Sequence, residues 1–365
     1  GEVLVELPLA LCFAAAEGAE LAYAPVAKVL EDAGVDPLDA ALAVAYAEES
    51  LLGESSAWWP YINMVGAPME TFPCFVKDGD LDKLQSTSLA ESLGALNIAI
   101  DRIAEWRGMD RHVLASGWQL VASRRFGCEQ GRFMLPLGDL LNHSFTPTCG
   151  WQRPAEAGND SWVLTALVDL EEGDPLCFEY CQDPNHLLLS TSGFVVKDNP
   201  HNRVMAKISD LRQSLIGACN PASPMEFSVW RRSEIEKLLP DPEEKGPGLA
   251  MFVVGRTKGG IQWNPLWLDL CGLACMEDPN KGHWKEQPNG IDRYCATIKK
   301  ACEGMYKTQL VDDKASLTDK SISDNEKLAL QFCVGQKDLL DTAIRRLRNQ
   351  LVQQPTSPVD AGQGQ

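Results

Sequence analysis

The segment LPLGDLLNHSFTPTC, residues 135–149, holds the side chains that first suggest chemistry. An aliphatic stretch carries one acid, Asp139, and then breaks into Asn142, His143 and Ser144 before a proline turn. Histidine is a common general base and metal ligand, and Asn-x-Ser is also the acceptor pattern for glycosylation. The segment is therefore a glycosylation site, half of a metal site, a structural turn or the centre of an active site.

The neighbours of Asn142 argue against a sugar. Leu140, Leu141 and Phe145 surround the triplet, whereas an N-linked glycan needs a surface position. The same pattern recurs at residues 159–161, and a chain of this length is expected to contain a few such triplets by chance. We expect no glycosylation here.

A zinc site is the second interpretation, because His143, Cys149, Cys177, Cys181 and His186 are close in sequence. Structural zinc normally uses tight pairs of cysteines. If Cys177 and Cys181 lie along a strand, as we expect, they are about 13 Å apart, which is too far for one tetrahedral ion. We therefore expect no metal.

Taken alone, Asn142, His143 and Ser144 would be a hydrogen-bonded turn capped by Asp139, since these residue types form turns. The downstream segment EEGDPLCFEY, residues 171–180, adds a strand that ends in an isolated tyrosine, Tyr180. Tyr180 by itself could be a core residue with a satisfied hydroxyl. The two segments together suggest two walls of one site.

The elements that must position these residues are of mixed type. Residues 1–13 are predicted to form a strand and a turn, and a helix begins at Asp36 and Pro37, a capping residue followed by proline in the first turn. Helical patterns continue through residues 89–106 and 112–126. Strands are predicted at residues 162–170 and 175–180, followed by a helix that ends at Gly193.

The second half of the chain has a different pattern. Strand signals fade after residue 204, and residues 323–326 have the form of a capping box. One apolar stripe follows on the last helix: Leu340, Ile344, Leu347 and Leu351. The tail, residues 353–365, is rich in proline and glycine and is expected to be disordered. The patterns predict an α+β domain with a helical insertion, then a helical domain.

The charge of the chain restricts its partners. The 365 residues carry a formal net charge of −18, which repels nucleic acid and anionic lipid and attracts a lysine-bearing protein surface. No apolar run reaches the about 18 residues of a membrane span. The twelve cysteines are scattered, which is typical of reduced thiols in an intracellular protein. We expect a monomer that acts on a folded protein and binds neither nucleic acid nor membrane.

Several segments, taken in order, resemble the SET-domain protein methyltransferases of the Rubisco large-subunit methyltransferase (LSMT) class, which also includes the actin histidine methyltransferase. These segments are SSAWWPYI, VASRRF, LPLGDLLNHS, EEGDPLCFEY and NHLLLSTSGFVVKDNPHNRV. The resemblance implies a SET-domain β-fold with a knot-like core over residues 1–203, containing a helical insertion at about 26–122. An all-helical substrate-binding domain would follow over residues 204–352.

The resemblance also implies S-adenosylmethionine as the methyl donor. Asn142 and His143 would line its pocket through backbone groups, and Arg124 would reach its carboxylate, a role for which a guanidinium is well suited. Glu17 would also meet the cofactor. Tyr180 would touch the cofactor and be the catalytic tyrosine, aligning nucleophile, methyl group and sulfur in a site without water.

On the acceptor side the resemblance places Asp139, Trp151, Ser192 and Phe194. A lysine acceptor must lose a proton, and its ordinary pKa of about 10.4 has to fall in a desolvated channel. The lysine enzymes of the class often have Tyr-Gly-Phe where this chain has Ser192-Gly193-Phe194, whereas the actin histidine enzyme has Ser-Gly-Phe.

The resemblance therefore predicts a protein-lysine N-methyltransferase that acts on a non-histone protein, with a histidine acceptor or a catalytically inactive protein-binding module as alternatives. The glycine-rich segment that precedes the first strand in the class is missing, so we expect an N-terminally truncated SET domain. Cys181 stands where a glycine commonly follows the tyrosine. We expect an intracellular location, with the chloroplast as one candidate and the cytoplasm or nucleus as alternatives.

Overall fold

The chain folds into two units that are interleaved in sequence. The structure is a computed structural model that describes residues 1–15, 18–77, 79–129, 131–157, 160–219, 225–239, 250–278, 280 and 283–353. Unit 1 comprises the described residues of Gly1–Lys83, Leu89–Asn199 and Ser323–Leu328, and unit 2 those of Leu84–Ser88, Pro200–Ile322 and Ala329–Gln365. The boundary predicted from sequence, after residue 203, makes the two units consecutive. In the structure, Leu84–Ser88 from the first half of the chain belong to unit 2, and Ser323–Leu328 from the second half belong to unit 1.

The strands of unit 1 are short. They are β1 Val3–Pro8, β2 Phe13–Ala14, β3 Phe126–Cys128, β4 Gly131–Met134, β5 Asn142–His143, β6 Cys149–Gln152, β7 Ser161–Ala166 and β8 Cys177–Phe178. Among the described residues they pair as β1-β7-β6 and β2-β4-β3, both antiparallel, and as the parallel pair β5-β8. The predicted strands at 162–170 and 175–180 are present but shorter, since chain reversal needs the residues from Leu167 to Leu176.

The helices of unit 1 lie mainly between β2 and β3. They are α1 Ala27–Ala33, α2 Pro37–Leu52, α3 Trp59–Val65, α4 Asp80–Lys83, α5 Thr87–Arg107, α6 Arg111–Arg124, α7 Pro154–Ala157 and α8 Asn185–Ser192. Short 3-10 helices occur at Leu9–Leu11, Ala19–Val26, Gly53–Ser55 and Gly138–Leu140. The first two residues of α5 belong to unit 2.

Local signals fix the ends of these helices. The predicted start of α2 is confirmed, because the Asp36 side chain accepts a hydrogen bond from the Leu38 N–H at 3.0 Å and Pro37 occupies the first turn. The predicted end of α8 is also confirmed, since Gly193 caps it with φ of 74°. Helices α2 and α6 approach closely where Gly117 faces Ala43 and Ala47, a contact that a larger side chain would prevent.

The segment Ser323–Leu328 completes unit 1 from far along the chain. The Asn325 side chain accepts a hydrogen bond from the Phe72 N–H at 2.8 Å and donates one to the Phe75 carbonyl at 2.7 Å. Phe72 and Asn325 are both almost fully buried. Buried backbone groups need such partners, so the loop after α3 depends on a residue 250 positions away.

The expectation of an all-helical second domain is wrong. Unit 2 contains the antiparallel sheet β11-β10-β9, formed by β9 Arg203–Lys207, β10 Ala250–Thr257 and β11 Gly260–Trp263. Strand β10 is a short apolar run with Val253 and Val254 fully buried, and such a run cannot be told from a helical segment by periodicity. The glycine-containing turn at residues 258–259 joins β10 to β11 and was the overlooked hairpin signal.

Unit 2 also contains helices. They are α9 Ile208–Ala218, α10 Met225–Leu238, α11 Pro265–Cys275, α12 Gly290–Glu303, α13 Leu310–Ser316 and α14 Asp324–Gln353, with a 3-10 helix at Trp284–Glu286. The first residues of α14 belong to unit 1. The cap predicted at Ser323 is present, because its hydroxyl accepts from the Glu326 N–H at 3.2 Å.

The predicted apolar stripe of α14 is confirmed. Leu340 is buried in the core of unit 2, and Ile344, Leu347 and Leu351 pack against that core. Residues 354–365, most of the tail for which disorder was predicted, lie outside the described residues. All twelve cysteines are free thiols. No helix in the described part of the chain is long and apolar enough to cross a membrane.

Replacing Gly193 by alanine is expected to destabilise unit 1 strongly. A Cβ at this position would lie 2.4 Å from the Phe72 carbonyl oxygen and 2.9 Å from Nε2 of Gln119. The positive φ adds its own penalty for an L residue, so we expect a loss of about 3 kcal/mol or more in the free energy of unfolding, measured by urea titration.

Gly34→Ala is the matched control. Gly34 also caps a helix, with φ of 65°, but a Cβ at this position would meet no atom within 4 Å. This variant should lose only about 1 kcal/mol, the penalty of the backbone conformation alone. Equal losses in the two variants would show that the close approach at Gly193 does not matter.

Candidate active site

The parallel pair β5-β8 brings the two chemically suggestive segments together. Asn142 lies opposite Cys177, and His143 lies opposite Phe178. The Ser144 N–H extends the pairing by donating to the Phe178 carbonyl at 3.0 Å. The turn at Asn142–Ser144 and the strand before Tyr180 therefore lie side by side.

His143 fixes the backbone of Tyr180. Its Nδ1 accepts a hydrogen bond from the Tyr180 N–H at 3.1 Å, and the two rings lie 5.2 Å apart. Because Nδ1 accepts, it carries no proton in this arrangement. His143 therefore acts through its ring as well as its backbone, which the sequence interpretation did not foresee.

The Tyr180 hydroxyl is also fixed. It donates a hydrogen bond to the Leu141 carbonyl at 2.5 Å. Burial raises the pKa of Tyr180, the nearby Asp139 raises it further, and Arg124 opposes the shift. The hydroxyl is therefore a neutral donor at neutral pH, because the pKa of tyrosine already starts near 10.

Asp139 is the buried acid of the site, with a side chain only 4% exposed. The Tyr61 hydroxyl on α3 donates to its Oδ2, and Arg124 Nη1 on α6 donates to its backbone carbonyl at 2.8 Å. Its Oδ1 has no hydrogen-bond partner among the described residues. Burial raises the pKa of Asp139 from 3.8 to about 6, against the opposing effects of Tyr61 and Arg124.

Two cavities meet at these residues. One has a volume of about 840 Å³ and the other about 510 Å³. The residues that line both cavities are Ser123, Arg124, Asp139, Tyr180 and Ser192. Molecules bound in the two cavities would therefore both lie beside these shared residues.

The larger cavity has a mixed aromatic and backbone lining. His143, Phe145 and Phe194 supply rings, and Asn142 and Gly193 lie beside them. The helical insertion also contributes to the lining, with Ala67, Pro68, Met69, Thr71, Gln119 and Leu120.

The smaller cavity is lined by an aromatic group centred on Phe126. Its ring centroid lies 6.0 Å from that of Trp151, 5.5 Å from that of Trp162 and 5.5 Å from that of Phe178. Trp151 packs on Gly138, where a Cβ would lie 2.6 Å from its ring. Glycine at 138 therefore allows this ring to lie against the backbone next to Asp139.

The structure brings most of the residues predicted from sequence to this place. Arg124, Asp139, Tyr180 and Ser192 line both cavities, Asn142 and His143 line the larger one, and Trp151 lines the smaller one. Phe194 was grouped with the acceptor residues, but it lines the larger cavity beside His143. Glu17 lies outside the described residues.

Sequence reasoning missed two contributors. Tyr61, which holds Asp139, lies in the SSAWWPYI segment, and Phe126 ends the VASRRF segment. The aromatic residues of both segments served only as family signals, although they could have been recognised as candidate site residues. If the segment were only a turn, Asp139 would cap it, whereas its side chain accepts from Tyr61. Within the described ranges, no group of three or more potential ligands could hold a metal ion.

Comparisons with known proteins give distant relatives. No protein-family model matches the chain. The curated actin-histidine N-methyltransferases of Callithrix jacchus and Plecturocebus moloch are each 20% identical over 336 residues, covering 80% of this chain and 52% of the relative. The chain thus spans about half the length of these curated relatives.

The solved structures agree over nearly the whole chain. The structure of Rubisco LSMT bound to AdoMet has a TM-score of 0.57 at 14% identity and covers 96% of this chain and 84% of that one. The SET domain of LSMT bound to lysine and AdoHcy has a TM-score of 0.56 at 13% identity, with coverages of 96% and 83%. At such identity the likeness is one of fold, and it confirms the fold that the sequence motifs predicted. The chain therefore has the fold seen in these structures of Rubisco LSMT.

Proposed function

We propose that the chain carries the catalytic unit of an S-adenosylmethionine-dependent protein N-methyltransferase. The observation that carries the proposal is the pair of cavities that share Arg124, Asp139, Tyr180 and Ser192 as a common wall. Methyl transfer needs a donor and an acceptor that approach one point from opposite sides. The fold-level relatives named above, which bind AdoMet, AdoHcy and lysine, support this assignment.

The larger cavity fits S-adenosylmethionine. His143, Phe145 and Phe194 offer ring surfaces for an adenine, and the Nε of Arg124 is buried with no hydrogen-bond partner in the described residues. A guanidinium donor in this position suits the carboxylate of the cofactor. When bound, S-adenosylmethionine supplies an electrophilic methyl group on a sulfonium.

The residues of the chain orient the reaction and exclude water. Tyr180 is fixed by His143 at its backbone and by Leu141 at its hydroxyl, so its position does not depend on the ligands. The aromatic group around Phe126 covers the acceptor side with apolar surface. A preorganised site of this kind lowers the barrier by alignment.

We favour a lysine of a non-histone protein as the acceptor. The net charge of −18 attracts a basic substrate surface, and one solved relative is bound to lysine. Histidine is the second candidate, because the curated relatives are actin-histidine N-methyltransferases and the chain has Ser192 before Gly193 and Phe194.

Acceptor identity can be tested directly. The chain is incubated with tritium-labelled S-adenosylmethionine and a cell extract, and labelled protein is hydrolysed to amino acids. We expect methyllysine to carry the label. Methylhistidine without methyllysine would select the second candidate, and no labelled protein at all would favour an inactive protein-binding module.

The assignment of the two cavities predicts opposite effects for Phe194 and Trp151. Phe194→Ala should raise the dissociation constant for S-adenosylmethionine by about tenfold or more, because it removes ring contact from the larger cavity. Trp151→Phe should leave that constant unchanged and raise KM for the protein acceptor. Isothermal titration and steady-state kinetics measure the two quantities.

The comparison of these two variants also tests whether Phe194 lies on the acceptor side, as the family resemblance implies. If Phe194→Ala changes KM for the acceptor and not the cofactor affinity, Phe194 belongs to the acceptor side as the motif implies. The proposed use of the larger cavity would then be wrong.

Replacing Tyr180 by phenylalanine should lower kcat by about a hundredfold or more, since a small loss of alignment has effects of this size. Cofactor affinity should change little, because the ring stays and the variant loses only the hydroxyl that donates to the Leu141 carbonyl. Tyr23→Phe is the matched control. The Tyr23 hydroxyl also faces a backbone carbonyl, that of Ala40 at 3.5 Å, and Tyr23 lines neither cavity. A Tyr180→Phe variant as active as this control would remove Tyr180 from the mechanism.

A further inference from the structure

Asp139 lines both cavities, and one oxygen of its carboxylate has no hydrogen-bond partner among the described residues. Its Oδ2 is held by Tyr61, while Oδ1 is buried with no partner in the described part of the chain. A buried polar atom without a partner costs free energy, and such atoms in native structures call for an explanation. Because Asp139 lines the smaller cavity, an N–H group of an acceptor bound there would satisfy Oδ1.

We propose that Asp139 is the proton acceptor of the methyl-transfer reaction. This inference rests on the proposed function. An acceptor nitrogen that enters protonated gives its proton to Oδ1 of Asp139, and the freed lone pair forms the new bond to the methyl carbon. The sulfur–methyl bond of S-adenosylmethionine breaks, and its electron pair stays on sulfur. Asp139 then releases the proton to solvent when the product leaves.

Other groups in the smaller cavity are less suited to this role. The Tyr180 hydroxyl already donates to Leu141, and its raised pKa keeps it protonated. Glu179 accepts from Gln182 Nε2 at 3.1 Å, and Glu179 and Asp183 are both partly exposed and line only the smaller cavity. Among the described carboxylates, Asp139 alone lines both cavities.

The surroundings of Asp139 set the pH at which it can work. Tyr61 on α3 and Arg124 on α6 favour its charged form, while burial disfavours it and gives a pKa of about 6. Tyr46 on α2 and Tyr180 after β8 also face the carboxylate. Both have raised pKa values and remain neutral near pH 7. Asp139 is therefore charged above about pH 6 and able to take a proton.

The first test is the pH profile of kcat/KM in the full chain. The wild type should lose activity as the pH falls through about 6, because Asp139 becomes protonated. Asp139→Asn should lower kcat by about a hundredfold, the usual effect of a lost general base, and abolish this acidic limb. An active variant that keeps the limb would overturn the proposal and assign the limb to the acceptor itself.

A second variant keeps the test valid if Asp139→Asn does not fold. Tyr61→Phe removes the hydrogen bond that favours the charged carboxylate. The acidic limb should therefore move to higher pH while the enzyme remains active. An unmoved limb would contradict the proposal, because a merely structural Asp139 predicts no such shift.

A third readout needs neither cofactor nor activity. The raised pKa means that the folded chain holds a proton on Asp139 more tightly than the unfolded chain between pH 3.8 and about 6. The urea midpoint of the wild type should therefore fall, relative to Asp139→Asn, as the pH rises through this window. If the urea midpoints of the wild type and of Asp139→Asn depend equally on pH, the carboxylate of Asp139 is not a desolvated proton site.

These outcomes separate the two proposals. A wild type that labels no protein would contradict the proposed function, and the urea experiment would still decide the state of Asp139. A wild type that transfers methyl groups with the same pH profile as Asp139→Asn would contradict only the inference.

Discussion

The hydrogen bond from the Tyr180 N–H to Nδ1 of His143 is the interaction on which the site depends. It joins residues that are 37 positions apart and closes the end of the parallel β5-β8 pair. Only two residues of each strand are paired in this ladder, so backbone pairing alone would specify the register weakly. The side-chain bond adds a position-specific contact, and a slip by one residue would separate His143 from Tyr180.

The helical insertion and the strands form one site because of Asp139. Its carboxylate contacts Tyr61 from α3, its carbonyl contacts Arg124 from α6, and its own turn follows β4. Burial of a carboxylate costs free energy unless the group is hydrogen-bonded. The hydrogen bond from Tyr61 and the nearby charge of Arg124 each offset part of this cost. Such penalties are commonly found at functional sites, where a perturbed acid has a use.

Much of this arrangement could be predicted from sequence because it depends on local chemistry. Asp36, Ser323 and Gly193 act through their own side chains or backbone angles, and their effects were visible in the sequence. The sheet of unit 2 was missed because Val253 and Val254 give no periodicity when both faces of a strand are buried. Tyr61 was missed for a different reason, since nothing in a sequence shows which aromatic hydroxyl will meet an acid 78 residues away.

The position of Phe194 also could not be predicted from sequence. Ser192 and Phe194 are separated by one glycine with φ of 74°, and this left-handed turn sends the chain in a new direction. Ser192 remains on the shared wall, whereas Phe194 faces His143 in the larger cavity. The family resemblance suggested a common role on the acceptor side, but Phe194 lines only the larger cavity.

The segment Ser323–Leu328 has a consequence for the order in which the protein acquires its structure. Unit 1 contains the site, yet the Phe72 N–H and the Phe75 carbonyl pair with the side chain of Asn325. During synthesis the ribosome must therefore add more than a hundred residues after β8 before this loop can close. Contacts of such long sequence separation slow folding and leave apolar surface exposed in the meantime. The part of the larger cavity that Thr71 lines would therefore be completed only after most of the chain has been made.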